Sequence, residues 1–173
     1  TFTKALQAGK LEPAYYFLGA ENVLKDEATT ALLDKVLDPG LRDFNLDIRS
    51  AQQLEPEDVL SLCTTLPMMA DRRVVVVRDV EAWKRKTRGK KAVLEYLQKP
   101  IPETLLVLVQ RAASEAKDDK PDTDLADHAY TVEFAERTTE EAGRWLAREA
   151  GALGISFASG APEKRPWLQR TST

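Results

Sequence analysis

Four consecutive valines, Val74 to Val77, constrain this chain more than any other stretch. A strand with one wet face alternates apolar and polar residues. This run does not, so both of its faces must be buried, as in the middle of a parallel sheet. Just upstream stands Leu66-Pro67-Met68-Met69-Ala70, followed by the charged step Asp71-Arg72-Arg73. Pro67 closes the helix before it. Met68 and Met69 are the only 2 methionines in the 173 residues. An adjacent apolar pair between a helix stop and a charged step is hard to bury completely. It is a candidate apolar prong at the entrance of a central strand.

Around this feature the patterning alternates strands and helices. Phe2 to Ala8 reads as a short helix stopped by Gly9, and Ala14 to Leu18 as the first strand. A helix follows over Glu21–Leu37, its apolar face carried by Val23, Ala28, Ala31, Leu32 and Val36. Asp43 to Arg49 alternates and predicts a strand with one buried face. The next helix carries Pro56 and acids in its first turn. It runs to about Thr65 and is expected to bury Val59, Leu62, Cys63 and Leu66. After the valine strand come a helix over Ala92–Gln98, a second fully apolar strand over Thr104–Val109, and a charged loop or short helix over Ala112–Asp124. That segment has a tip at Lys117-Asp118-Asp119-Lys120. A last strand covers Ala129–Phe134 and a last helix Glu140 to about Ala152. The expectation is an α/β fold, a three-layer αβα sandwich on a parallel five-stranded sheet.

Composition excludes several classes. The net charge of -3 gives no global pull toward nucleic acid. The single cysteine, Cys63, rules out an internal disulfide framework and fits a reducing, cytoplasmic setting. No apolar run approaches the ~18 residues of a membrane span. The chain opens at Thr1-Phe2 without a methionine or a secretory signal, so a few residues are expected to be missing.

Ligands in parallel α/β sheets sit at the carboxyl ends of strands. The turn after Leu18 is therefore the first place to test for a phosphate site. Laid on G-x-x-x-x-G-K-[ST], Gly19 and Lys25 fit. Leu24 stands where the second glycine lets the backbone wrap phosphate, and Asp26 where a hydroxyl would hold magnesium. A carboxylate there adds negative charge beside polyphosphate. This reads as a degenerate P-loop that does not bind nucleotide, although spacing alone leaves open that Gly19 merely starts a helix. The segment Arg78-Asp79-Val80-Glu81 is a poor match for a metal-holding acid pair and reads as a solvated strand end. No metal-ligand cluster or nucleophile constellation is visible, with His128 the lone histidine and Cys63 on a core face. The run of Lys84, Arg85, Lys86, Arg88, Lys90 and Lys91 offers possible nucleic-acid contacts, or is simply a solvated loop. Trp83 beside it could stack on a base, or pack.

Three runs carry a resemblance: Tyr16-Phe17-Leu18-Gly19 with Glu21, Leu24, Glu27 and Ala28; Asp43-Phe44-Asn45; and Leu66 through Glu81. Together and in order they resemble the bacterial DNA polymerase III delta subunit family, the wrench of the clamp loader. The resemblance implies an AAA+ type first domain over residues 1–136 with a degenerate nucleotide site and no cofactor. It implies that Leu66, Pro67, Met68, Met69 and Ala70 enter a hydrophobic pocket of the sliding clamp (beta), where the family often carries leucine and phenylalanine. It also implies other clamp-loader subunits (gamma/tau, delta prime) and primed DNA as partners, with no catalysis by this chain itself. Residues 137–158 resemble only the first helix of the family's lid. Residues 159–173 read as an irregular tail unlike its continuation, so a truncated chain or altered end is expected. Two other functions compete: an active P-loop ATPase or nucleotide-binding regulator, and a nucleic-acid-binding module using residues 84–91.

Overall fold

A computed structural model of the chain describes residues 2–84, 86–112 and 120–135, with Thr87 and Arg88 described in their backbone only. The expected lid helix, the tail and most of the 117–120 tip lie outside the described residues. The chain divides into a unit over Thr1–Ala135 and a second over Glu136–Thr173; only the first is described.

Its frame is a five-stranded sheet in the order β2-β3-β4-β1-β5. The strands are β1 (Ala14–Leu18), β2 (Leu46–Ser50), β3 (Arg73–Arg78), β4 (Thr104–Val109) and β5 (Tyr130–Glu133). Every pairing is parallel. The valine strand β3 lies between β2 and β4, and all four valines are buried. Their lack of alternation has the predicted cause: alternate valines feed two cores. Val75 and Val77 join Tyr16, Leu106 and Leu108 in a core with Val59, Cys63, Val93 and Leu97. Val74 and Val76 join Tyr15, Phe17, Leu105 and Val107 in a core with Leu32, Leu33 and, at its margin, Phe2. Helices α1 (Phe2–Ala8) and α2 (Asn22–Val36) supply the second core. Helices α4 (Asp58–Thr64), α5 (Thr87–Gln98) and α6 (Thr123–His128) supply the first. The result is the expected three-layer α/β arrangement.

Four local expectations are corrected. Asp43 to Asn45 are not strand: they belong to the one-turn helix α3 (Arg42–Asn45), and β2 begins only at Leu46. Alternation misled there because Phe44 points to solvent while Asn45 points inward, where its amide finds backbone partners. As an edge strand, β2 also leaves Ile48 exposed. In α2 the buried residues are Lys25, Thr29, Leu32 and Leu33, and Val23 is exposed. Leu66 is exposed rather than buried with α4. Finally, α5 begins at Thr87, inside the basic run, not at Ala92.

Candidate functional site

Two places on this frame hold the residues singled out from sequence. The first is the carboxyl end of β1, where the ends of β4 and β5 converge. Gly19 has φ 106, and a Cβ on it would collide with the backbone of Phe134 just past β5. The turn is closed onto that strand by Phe134 N donating to Leu18 O (2.8 Å) and Glu21 N to Phe134 O (3.2 Å). Lys25, at the P-loop lysine position, is 1% exposed. Its ammonium donates to the carbonyl oxygens of Gly19 and Gln110, each at 2.6 Å. Gln110 is itself buried, and its side chain accepts from the Tyr16 hydroxyl, which in turn accepts from Asp122 N at 3.1 Å. Burial pushes the Tyr16 hydroxyl up to about 12. Asn22 secures the same corner by exchanging hydrogen bonds with the backbone of Ala112, at 3.3 and 3.1 Å.

Asp26 faces outward between two arginines, 3.6 Å from Arg78 and 3.7 Å from Arg111. Arg111 also lies 3.7 Å from Asp79, whose carboxylate accepts from Ser50 Oγ at 2.6 Å. Glu81 accepts from Arg111 N at 3.0 Å. The strand end after β3 is thus an ion-pair network and not a bare solvated turn. Leu24 is half-buried.

The second place is the segment between α4 and β3. Leu66 is 74%, Met68 53% and Met69 85% exposed. These are large apolar side chains left partly or mostly in water, each forgoing a share of the roughly 1.5–3 kcal/mol that full burial contributes. The backbone beneath them is nonetheless held. Asn45 Oδ1 accepts from Met68 N at 2.6 Å, and Asn45 Nδ2 donates to Met68 O at 2.9 Å and to Leu41 O at 3.1 Å. Met69 follows with φ 55, in the left-handed region that a non-glycine residue seldom occupies. Beyond it, Arg73 is buried and pairs with Asp47 of β2.

The basic run does not form one surface. Lys90 is buried, with Nζ 2.8 and 3.0 Å from the two Asp122 oxygens and 2.7 Å from Asp124. Burial alone would lower its pKa, but those carboxylates outweigh burial and raise it. The same ammonium, by hydrogen bond and charge, lowers the Asp124 carboxyl. Lys86 pairs with Glu55 at 2.7 Å, and Lys91 lies 3.7 Å from Glu95. Lys84 is partly buried; Arg85 and the Arg88 side chain lie outside the described residues. Trp83 is buried and donates Nε1–H to Leu54 O at 2.9 Å, so it packs. His128 is exposed. Burial pushes the Cys63 thiol up to about 12, which makes it a poor nucleophile. Among the described residues no cluster of three or more His, Cys, Asp or Glu could hold a metal ion, and no helix is long and apolar enough to cross a membrane.

Sequence reasoning missed Asn45, Gln110 and the Lys90–Asp122 pair as organising residues. A polar residue closing an otherwise apolar strand, as Gln110 does after Val109, was the one available signal.

The profile of the family described as DNA polymerase III, delta subunit, matches residues 15–135. The chain is 28% identical over 144 residues to DNA polymerase III subunit delta of Bacillus subtilis, covering 80% of this chain and 42% of that protein. It is similar in structure to the Bacillus subtilis DNA clamp loader delta protein, with a TM-score of 0.69 and 25% identity, over 94% of this chain and 50% of that one. A DNA polymerase III gamma subunit-related protein of Thermotoga maritima shares the fold alone, with a TM-score of 0.57 and 14% identity over 90% of this chain and 54% of that one. This chain therefore spans about half the length of the relatives it matches.

Proposed function

Because the chain belongs to the DNA polymerase III delta subunit family, its residues 15–135 matching that family's profile, we propose that it is the clamp-binding part of a clamp loader. In this reading it does no chemistry of its own. Leu66, Pro67, Met68, Met69 and Ala70 dock in a hydrophobic pocket of the bacterial sliding clamp and help open one interface of the ring for loading on primed DNA. The other clamp-loader subunits, gamma/tau and delta prime, would engage the full-length protein in the cytoplasm.

One observation carries this reading: the only two methionines of the chain stand exposed and adjacent on a held backbone. Contiguous exposed apolar patches, unlike scattered single residues, mark partner surfaces. Methionine also suits an irregular pocket, having a flexible, polarisable side chain.

The residues after β1 do not fit a magnesium nucleotide. The lysine that would reach phosphate is turned inward onto two carbonyl oxygens. The residue that would offer magnesium a hydroxyl is Asp26, drawn between Arg78 and Arg111. Both features support a binding role without ATP hydrolysis. The test is the affinity of the Met68→Ala, Met69→Ala variant for a bacterial sliding clamp, measured beside its thermal unfolding. Unchanged affinity overturns the proposal.

A further inference from the structure

We propose that Asn45 is a positioning residue for the docking prong, clasping the backbone of Met68 so that Met68 and Met69 are held in their docking conformation before a partner arrives. This rests on the reading of Leu66 to Ala70 as the clamp-binding segment.

The geometry is that of a strand pairing made by a side chain. The carboxamide of Asn45 presents one acceptor and one donor in a plane. It uses the acceptor on Met68 N (2.6 Å) and the donor on Met68 O (2.9 Å), and the second proton of its amide on Leu41 O (3.1 Å). One buried side chain, at the end of α3, therefore holds Met68, 23 residues away in sequence. Neither aspartate nor leucine could substitute. Aspartate at neutral pH has no proton for the carbonyls, and leucine, of similar shape, has no polar atoms.

A second observation points the same way. Met69 holds φ 55 while its side chain lies almost wholly in water. A left-handed methionine with no burial to compensate would relax unless its neighbours fixed it. Met68 is that neighbour, and its two main-chain groups are both engaged by Asn45. An apolar segment fixed in this way loses less conformational entropy on docking than a free loop.

The experiment uses the whole chain and a bacterial sliding clamp as the probe. In the unchanged chain the Met68 amide should exchange with solvent at least about tenfold more slowly than an unstructured amide. Asn45→Leu, which keeps the branched heavy-atom shape, and Asn45→Ala should abolish that protection while leaving the amides of Val76 and Val107 as slow as before. Each should weaken clamp binding about tenfold, equivalent to ~1.4 kcal/mol. In the Met68→Ala, Met69→Ala background the same substitutions should cost nothing further, since there is no prong left to position. An unprotected Met68 amide in the unchanged chain overturns the proposal without any variant having to fold. An equal loss in both backgrounds overturns it too, because Asn45 would then act through general stability. If the methionine variant binds as tightly as the unchanged chain, the clamp reading itself falls; an unprotected amide beside intact methionine dependence defeats the positioning role alone.

Discussion

The ammonium of Lys25, on α2, lies 2.6 Å from the main-chain carbonyl oxygen of Gln110, just past the end of β4. A second carbonyl, that of Gly19, stands at the same distance. The lysine thus ties the carboxyl ends of β1 and β4 together from inside the corner where this architecture binds phosphate.

Two outcomes follow for Lys25. Lys25→Met should destabilise the chain by about 1–3 kcal/mol, the range for hydrogen bonds from a charged donor partly offset by relief of its burial. Neither chain should bind ATP with magnesium in the millimolar range. Denaturant unfolding and calorimetric titration check the two statements separately, and saturable ATP binding by the unchanged chain would refute the second.

Val76 tests the sheet. It is fully buried among Tyr15, Phe17, Leu105 and Val107. Val76→Ala should cost about 2–3 kcal/mol, from lost transfer energy plus the cavity left behind. Near-zero destabilisation in urea would contradict a strand covered on both faces.

The methionine pair should matter for binding and not for folding. Each side chain buried at an interface contributes roughly 1.5–3 kcal/mol. Replacing both by alanine should weaken clamp binding by several tens-fold or more, at ~1.4 kcal/mol per tenfold. The melting temperature should stay nearly constant, because Met69 lies almost wholly and Met68 about half in water. A large drop in melting temperature would assign the pair to the core.

Alkaline pH should unfold the chain in a recognisable order. Burial raises Cys63 from 9.0 and Tyr16 from 10.0, each to about 12 in the folded chain. The unfolded chain ionises these groups first, so the stability they contribute is complete below about pH 9 and is lost as pH rises toward 12. The urea midpoint should be level near neutral pH and decline from about pH 9. In Cys63→Ala the decline should begin later, near pH 10, where the buried tyrosines Tyr15, Tyr16 and Tyr96, all raised by burial, take over. A midpoint independent of pH across this window would mean that none of these groups is held neutral by the fold.

Much of this was legible in residue order because it depends on local periodicity. A run such as Val74 to Val77 or Leu105 to Val109 declares burial on two faces wherever it ends up. Pro67 and Gly9 stop helices through their own backbone geometry, whatever surrounds them. The same locality made the poor fit of Leu24 and Asp26 to a phosphate-binding turn visible, and the apolar pair at Met68 and Met69. Its failures were equally physical. Alternation at Asp43 to Arg49 read as strand because a one-turn helix is too short to show a period of its own. The basic run read as a solvated loop because nothing near Lys90 announces a carboxylate 32 residues away.

Sequence by itself therefore determined that there are five parallel strands, that Val74 to Val77 and Leu105 to Val109 are buried on both faces, and where the apolar methionine pair stands, each a property of neighbouring side chains. Only the tertiary structure decided which polar groups turn inward. Lys25 meets Gln110 past the carboxyl ends of β1 and β4, Asn45 meets Met68 before the amino ends of β2 and β3, and Lys90 of α5 meets Asp122 at the start of α6, because the crossovers of a β2-β3-β4-β1-β5 sheet bring together turns that are distant in sequence. A buried polar side chain must find a partner wherever the fold has put one, and no local pattern encodes that address.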